Sequence, residues 1–267
     1  MKKIILFAAL ATVVGISACS KDETPDNTGN TTGTKTCRVA SAQGTIFGEN
    51  ASMALTYDAN KRLTRYVSTT GVDSEGSNYY YNAAGELTKE EAFDGTAGTD
   101  ITSKIEYTWS GGKITKIDYY YDNNGSLELE STGVPTYDGT RIVSILVSEN
   151  GSESSKDTYT YDANGNVLSV TSQESDGQGG WNNTYRDVYE YDTKKVAKGF
   201  DIVLSDEAII LSPNNRTREL SQSYDDVNQT WKDDSDLKYT YAYNADGYPT
   251  QISLGALGNI NLTYTCD

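Results

Sequence analysis

Five carboxylates crowd one short stretch: Asp225, Asp226, Asp233, Asp234 and Asp236, with Trp231 among them. Acids beside an indole suit two chemistries. A glycosidase works with a pair of carboxyl groups flanking the scissile bond, and a calcium loop gathers carboxylates around a hard cation. The spacing favours neither. The EF-hand pattern is absent, and adjacent acids in a strand point to opposite faces. A solvated loop is the simplest reading, with calcium ligation and carbohydrate hydrolysis by these residues as alternatives. The aspartates Asp58, Asp122, Asp138, Asp162 and Asp192 each follow an aromatic residue, where Asp caps its own turn.

Other catalytic chemistries have little to draw on. The chain has 0 His among 267 residues, which removes Ser-His-Asp and Cys-His mechanisms and imidazole metal sites. No glycine-rich loop opens onto a helix to cradle a phosphate. A formal charge of −16 repels nucleic acid. Trp181 and Trp231 each follow a polar stretch and precede a strand. Exposed, they would stack on a sugar or a protein partner; buried, they would staple a long loop to a sheet, the reading their repeated position favours.

The three cysteines have other roles. Residues 1–18 carry Lys2 and Lys3, an apolar run from Ile4 to Val14 and small residues before Cys19. That is a secretory signal, too short to span a bilayer. Ile16-Ser17-Ala18-Cys19 resembles a bacterial lipobox, which implies acylation of Cys19 after cleavage. The following Ser-Lys-Asp-Glu resembles the surface-export signal of Bacteroidetes lipoproteins. Cleavage removes two lysines and moves the formal charge from −16 to −18. Residues 19–36, rich in Thr, Asn and Gly, read as a flexible tether. The folded domain is expected over residues 37–267, within the size range of one β-barrel or sandwich. Cys37 and Cys266 stand near its two ends, and in an exported protein they are expected to form a disulfide.

What must position any site is a hairpin written repeatedly. An aromatic residue and a mostly aliphatic partner lie six positions apart in Tyr57…Leu63, Tyr81…Leu87, Tyr121…Leu127, Tyr161…Val167 and Tyr243…Pro249. They lie five apart in Trp109…Ile114, Tyr137…Ile142 and Tyr191…Val196. A three-residue loop in the first class and a two-residue loop in the second would each set the two side chains opposite one another. Gly85, Gly125, Gly165 and Gly247 supply the left-handed position, whereas Lys61 takes that place in the first repeat and is expected to be strained or to form a different loop. Period-two alternation and frequent Gly or Pro leave one stretch open to a helical turn, Leu204 to Leu211.

Tyr-Asp-x-x-Gly followed by an aliphatic resembles the YD repeat of RHS-type bacterial surface and toxin proteins. Trp181 and Trp231 ahead of their Tyr-rich strands, with the lipobox and flanking cysteines, resemble uncharacterised Bacteroidetes lipoproteins described as having a porin-like fold. The expected architecture is all-β: an antiparallel meander of about eight YD-type hairpins curled into a barrel-like roll, with an open twisted single sheet as the alternative. With 21 Tyr against 4 Phe, the core should hold tyrosine rings whose hydroxyls reach the rim or internal water. A wide polar lumen lined by tyrosines is the other possibility. The functional expectation is a surface-anchored lipoprotein of the outer membrane. Its expected role is non-enzymatic binding, adhesion or scaffolding, with a glycan or envelope protein as ligand. The alternative is a carbohydrate-active hydrolase using the 225–236 acids.

Overall fold

Short turns rich in Gly, Asn and Asp break the chain into β-branched and tyrosine-rich strands. The computed structural model describes residues 36–203 and 209–266. The first half comprises β1 (Cys37–Ile46), β2 (Glu49–Tyr57), β3 (Leu63–Thr70), β4 (Asp73–Tyr81), β5 (Leu87–Asp94), β6 (Asp100–Ser110), β7 (Lys113–Asp122) and β8 (Leu127–Asp138). The second comprises β9 (Arg141–Glu149), β10 (Ser152–Tyr161), β11 (Val167–Ser175), β12 (Trp181–Lys195), β13 (Asn214–Asp225), β14 (Thr230–Lys238), β15 (Thr240–Tyr243), β16 (Pro249–Ser253) and β17 (Gly258–Cys266). A single helical turn, α1 (Phe200–Val203), interrupts them.

Each strand pairs antiparallel with its successor from β1 to β14 and again from β15 to β17. The last strand returns to the first, with Cys37 opposite Cys266. The ring is nearly closed; its interruption falls between β14 and β15, which follow one another across Tyr239. This is the expected barrel-like roll, not an open sheet. The Cys37–Cys266 disulfide, with Cα atoms 4.1 Å apart, stitches the first strand to the last.

Six of the eight spaced pairs meet as expected: Tyr57–Leu63, Tyr81–Leu87, Trp109–Ile114, Tyr137–Ile142, Tyr161–Val167 and Tyr243–Pro249. In the longer loops the closing pair is the predicted one: the Asp162 amide donates to the Asn166 carbonyl at 2.9 Å. Gly165 sits at φ 93° and Lys61 at φ 69°, so the lysine carries the left-handed strain that its neighbours give to glycine. Two expectations fail. Tyr121 lies opposite Glu128, not Leu127, because Asn124 and Gly125, at φ 55° and 89°, form a two-residue turn at the other end of the ring. Tyr191 lies opposite Arg216, not Val196, because the chain leaves the sheet after Lys195 and returns only at Asn214.

The aromatic–aliphatic turns therefore share one rim. There the ring aromatics reach back to the preceding repeat. Tyr57 donates to the Val39 carbonyl at 2.7 Å, Tyr81 to Leu63 at 2.9 Å, the Trp109 indole to Leu87 at 2.7 Å, Tyr137 to Ile114 at 3.1 Å and Tyr161 to Ile142 at 2.6 Å. Tyr264 makes the same kind of bond to Pro249. The aliphatic partners Leu63, Leu87, Ile114, Ile142 and Val167 are buried beneath this belt. Tyrosine serves twice here, its ring in the core and its hydroxyl pairing a carbonyl.

The described parts of the excursion, 196–203 and 209–213, close the same rim. Ala197, Phe200, Val203 and Ile210 are buried, and Phe200 is 1% exposed. Lys198 bridges to Arg38 on β1, and Tyr57 donates to its carbonyl at 3.4 Å. At Gly199, φ 86°, a side chain would stand 2.0 Å from the Tyr57 hydroxyl, so only glycine allows this approach. The plug holds α1, which lies before the stretch expected to turn helical. Of that stretch, 204–208 lie outside the described residues and 209–211 are non-helical.

Candidate functional site

The expected site residues sit on β12 and on the β13–β14 hairpin. Trp181 and Trp231 begin β12 and β14 and are half-buried. Lys156 stands 4.8 Å from the Trp181 ring centroid and Arg186 stands 4.5 Å from that of Trp231. Tyr224 packs edge-on against Trp231 at 4.9 Å. Each indole thus has a cationic neighbour over its ring.

The five acids are dispersed along the β13–β14 hairpin. Asp225 caps its turn through the Val227 and Asn228 amides and pairs with Lys232, which holds its carboxyl far below the usual range. Asp226 is exposed in the turn. Asp233 accepts from Gln222 at 2.7 Å and Asp234 from Ser223 at 3.0 Å. Asp236 pairs with Arg218 at 2.7 Å, which lowers its pKa. A depressed pKa keeps a carboxylate anionic and unsuits it as a general acid. Among the described residues no group of three or more such side chains could hold a metal ion. Cys19 lies outside the described residues.

The interior holds what the sequence did not single out. Beneath the plug, β10 to β13 enclose a cavity of 210 Å³ with Val167, Val170 and Ile210 as apolar lining and Tyr159, Tyr189 and Tyr191 as aromatic lining. Its polar groups include Asp157, Asp187, Asp201 and Arg216. Burial raises the Asp157 pKa, partly offset by the Ser172 hydroxyl at 2.6 Å. Burial pushes Asp201 up to about 6, against the Gly199 and Ile202 amides that favour its anion. Arg216 is paired with Glu219 at 2.8 Å. The Ser212 hydroxyl donates to Tyr191 at 2.9 Å and accepts from the Val167 amide at 3.0 Å, tying plug to wall. Alternation along β10 and β12 was legible, since Lys156 and Asp157 must face opposite ways. Which way was inward was not.

The cavity can hold a small molecule against tyrosine rings with a carboxyl group in reach. Among the described residues its acids sit beside neither an imidazole nor a free thiol, since the chain has 0 His and Cys37 and Cys266 are joined.

No protein-family model matches the chain, and no curated protein matches it. Among solved structures it is similar to a porin-like protein from Bacteroides uniformis, at 13% identity over 85% of this chain and 96% of that chain, with a TM-score of 0.47. A porin-like protein from Bacteroides vulgatus matches at 12% identity over 85% and 98%, with a TM-score of 0.42. A protein with unknown function from Bacteroides fragilis matches at 14% identity over 50% and 89%, with a TM-score of 0.36.

Proposed function

We propose that the chain is an exported protein of the cell envelope, held at the outer membrane by acylated Cys19 and serving a non-enzymatic binding or scaffolding role at the surface. The observation that carries this reading is the sidedness of the ring. β1 begins at Cys37 on the plugged rim and runs toward the opposite rim, so a tether ending at residue 36 joins the plugged end. An acyl group on Cys19 would bring that end to the bilayer and turn the other outward. The disulfide suits an oxidising compartment, and the lack of histidine together with neighbour-bonded edge acids supports binding over catalysis.

The test uses the full chain in a host that matures lipoproteins. Wild type should incorporate an alkyne-tagged fatty acid and fractionate with the outer membrane, and Cys19→Ala should lose both. Asn150→Cys, at the rim away from the plug, should react with a membrane-impermeant maleimide on intact cells. Labelling only after lysis refutes surface display. A glycan array and an envelope pull-down then seek the ligand, and hydrolysis of an arrayed glycan overturns the non-enzymatic assignment.

A further inference from the structure

The rim opposite the plug carries a pocket of 440 Å³ between the turns that join β3 to β4 and β5 to β6. Three of its lining residues are acids: Asp73, Glu75 and Asp94. Glu75 and Asp94 lie directly opposite one another in the β4–β5 ladder, and Asp73 lies opposite Thr70 in the β3–β4 ladder. Like charges placed face to face across a sheet are destabilising. Burial raises the Glu75 pKa, and the charges of Asp94 and Asp73 raise it further. Among the described residues none of the three acids takes part in an ion pair.

An independent observation points to a missing partner. Thr70 is 6% exposed and lines the pocket, and its hydroxyl has no hydrogen-bond partner. Oε1 of Glu75 is also buried and unpartnered. A buried polar group left unpaired loses its hydration without recompense, so a ligand donating hydrogen bonds here would recover that loss. Val72, 96% exposed, stands at the pocket's lip and offers an apolar contact.

The geometry points to a binding site for the ammonium group of a small alkylamine at this rim. The occupant donates to Glu75, Asp94 and the Thr70 hydroxyl, with its methylene chain against Val72. An ammonium carries three donors and a positive charge, which match one hydroxyl and two opposed carboxylates. A compact metal ion fits less well, because no group of three or more ligating side chains among the described residues could hold one. This names a ligand class for the binding role proposed above and stands apart from the acyl anchor, so failure here leaves the Cys19 and labelling results untouched.

The probe is cadaverine (1,5-diaminopentane), with uncharged 1,5-pentanediol as its isostere, titrated into the full chain and followed by amide chemical shifts. Cadaverine and not the diol should move the amides of Ser68 to Glu75 and of Asp94 and Gly95. Glu75→Gln and Asp94→Asn should each weaken binding about tenfold or more, and Thr70→Val by a smaller factor. Both acid variants relieve a like-charge contact, so thermal melts should show them folded. Asp246→Asn makes the same charge change at the plugged rim and should leave affinity unchanged. Four results overturn the proposal: shifts elsewhere only, equal response to the diol, equal weakening by Asp246→Asn, or calcium producing the same shifts and displacing cadaverine at equal concentration.

Discussion

The two rims are made from the same strands, yet they are built differently. At the plugged rim aromatic donors reach the carbonyl of the preceding repeat, and Leu87 beneath them is 0% exposed. At the opposite rim backbone bonds link successive turns, from the Gly71 amide to the Asn50 carbonyl at 2.9 Å and from the Gly95 amide to the Ser74 carbonyl at 2.7 Å. Its turns differ in length, Tyr121 and Leu129 are 48% and 53% exposed, and its pocket is lined by acids. The Tyr-Asp-x-x-Gly unit thus specifies one end of each hairpin, the end where ring and aliphatic must meet beside the turn. The far end is released from that constraint and can vary in polarity.

That contrast can be broken in four ways, from the largest expected effect down. Replacing both Cys37 and Cys266 by Ser unties β1 from β17. With a separation of 229 residues the chain-entropy ceiling is about 5 kcal/mol, read as a fall in the urea midpoint. Leu87→Ala under the aromatic belt should cost about 2–5 kcal/mol, whereas Leu129→Ala near the other rim should stay within about 0.5 kcal/mol. Equal losses in urea unfolding would abolish the distinction between rims.

The third way uses pH. Asp201, in the plug, has a folded-state pKa of about 6 against a reference of 3.8, raised by burial. The folded protein therefore holds that proton more tightly than the unfolded chain. Its stabilising contribution is full below about pH 4 and is lost as pH rises through about 6. Asp201→Asn keeps an acceptor for the Gly199 and Ile202 amides and should remove this part of the pH slope. The difference from wild type, measured by urea unfolding from pH 4 to 8, should grow in the mutant's favour with rising pH. The smallest effect concerns one bond. Tyr161→Phe loses the hydroxyl that reaches Ile142 and should cost about 1 kcal/mol. Tyr121→Phe, on an exposed ring, should cost close to nothing.

The all-β class, the closing disulfide and six paired hairpins were legible in the turn residues and the cysteines. Both missed hairpins have the same cause. Tyr121…Leu127 and Tyr191…Val196 carry plausible spacing, but spacing does not say whether the intervening residues choose a two-residue turn or an excursion. Asn124 tolerates positive φ and took the first option. After Lys195 the apolar run holding Ala197, Phe200 and Val203 had an open barrel end to fill, and took the second. The candidate sites were less legible. The acid-rich 225–236 stretch drew notice through its density, yet Asp225, Asp233, Asp234 and Asp236 are bound to neighbours along the hairpin. The acids beside the cavities, Asp157, Asp201, Glu75 and Asp94, sit singly in unremarkable sequence.

By itself the amino-acid order determined the all-β class, six of the eight aromatic–aliphatic pairings, and that β1 and β17 would be joined. These are short-range matters of backbone angle and alternation, together with one covalent bond between two cysteines. Only the tertiary structure decided that residues 196–203 and 209–213 plug one rim, that tyrosine hydroxyls stitch repeat to repeat, and that Glu75 faces Asp94 beside a Thr70 hydroxyl without a partner. Each depends on groups brought together by the curl of the ring, and no local rule of spacing carries that curvature.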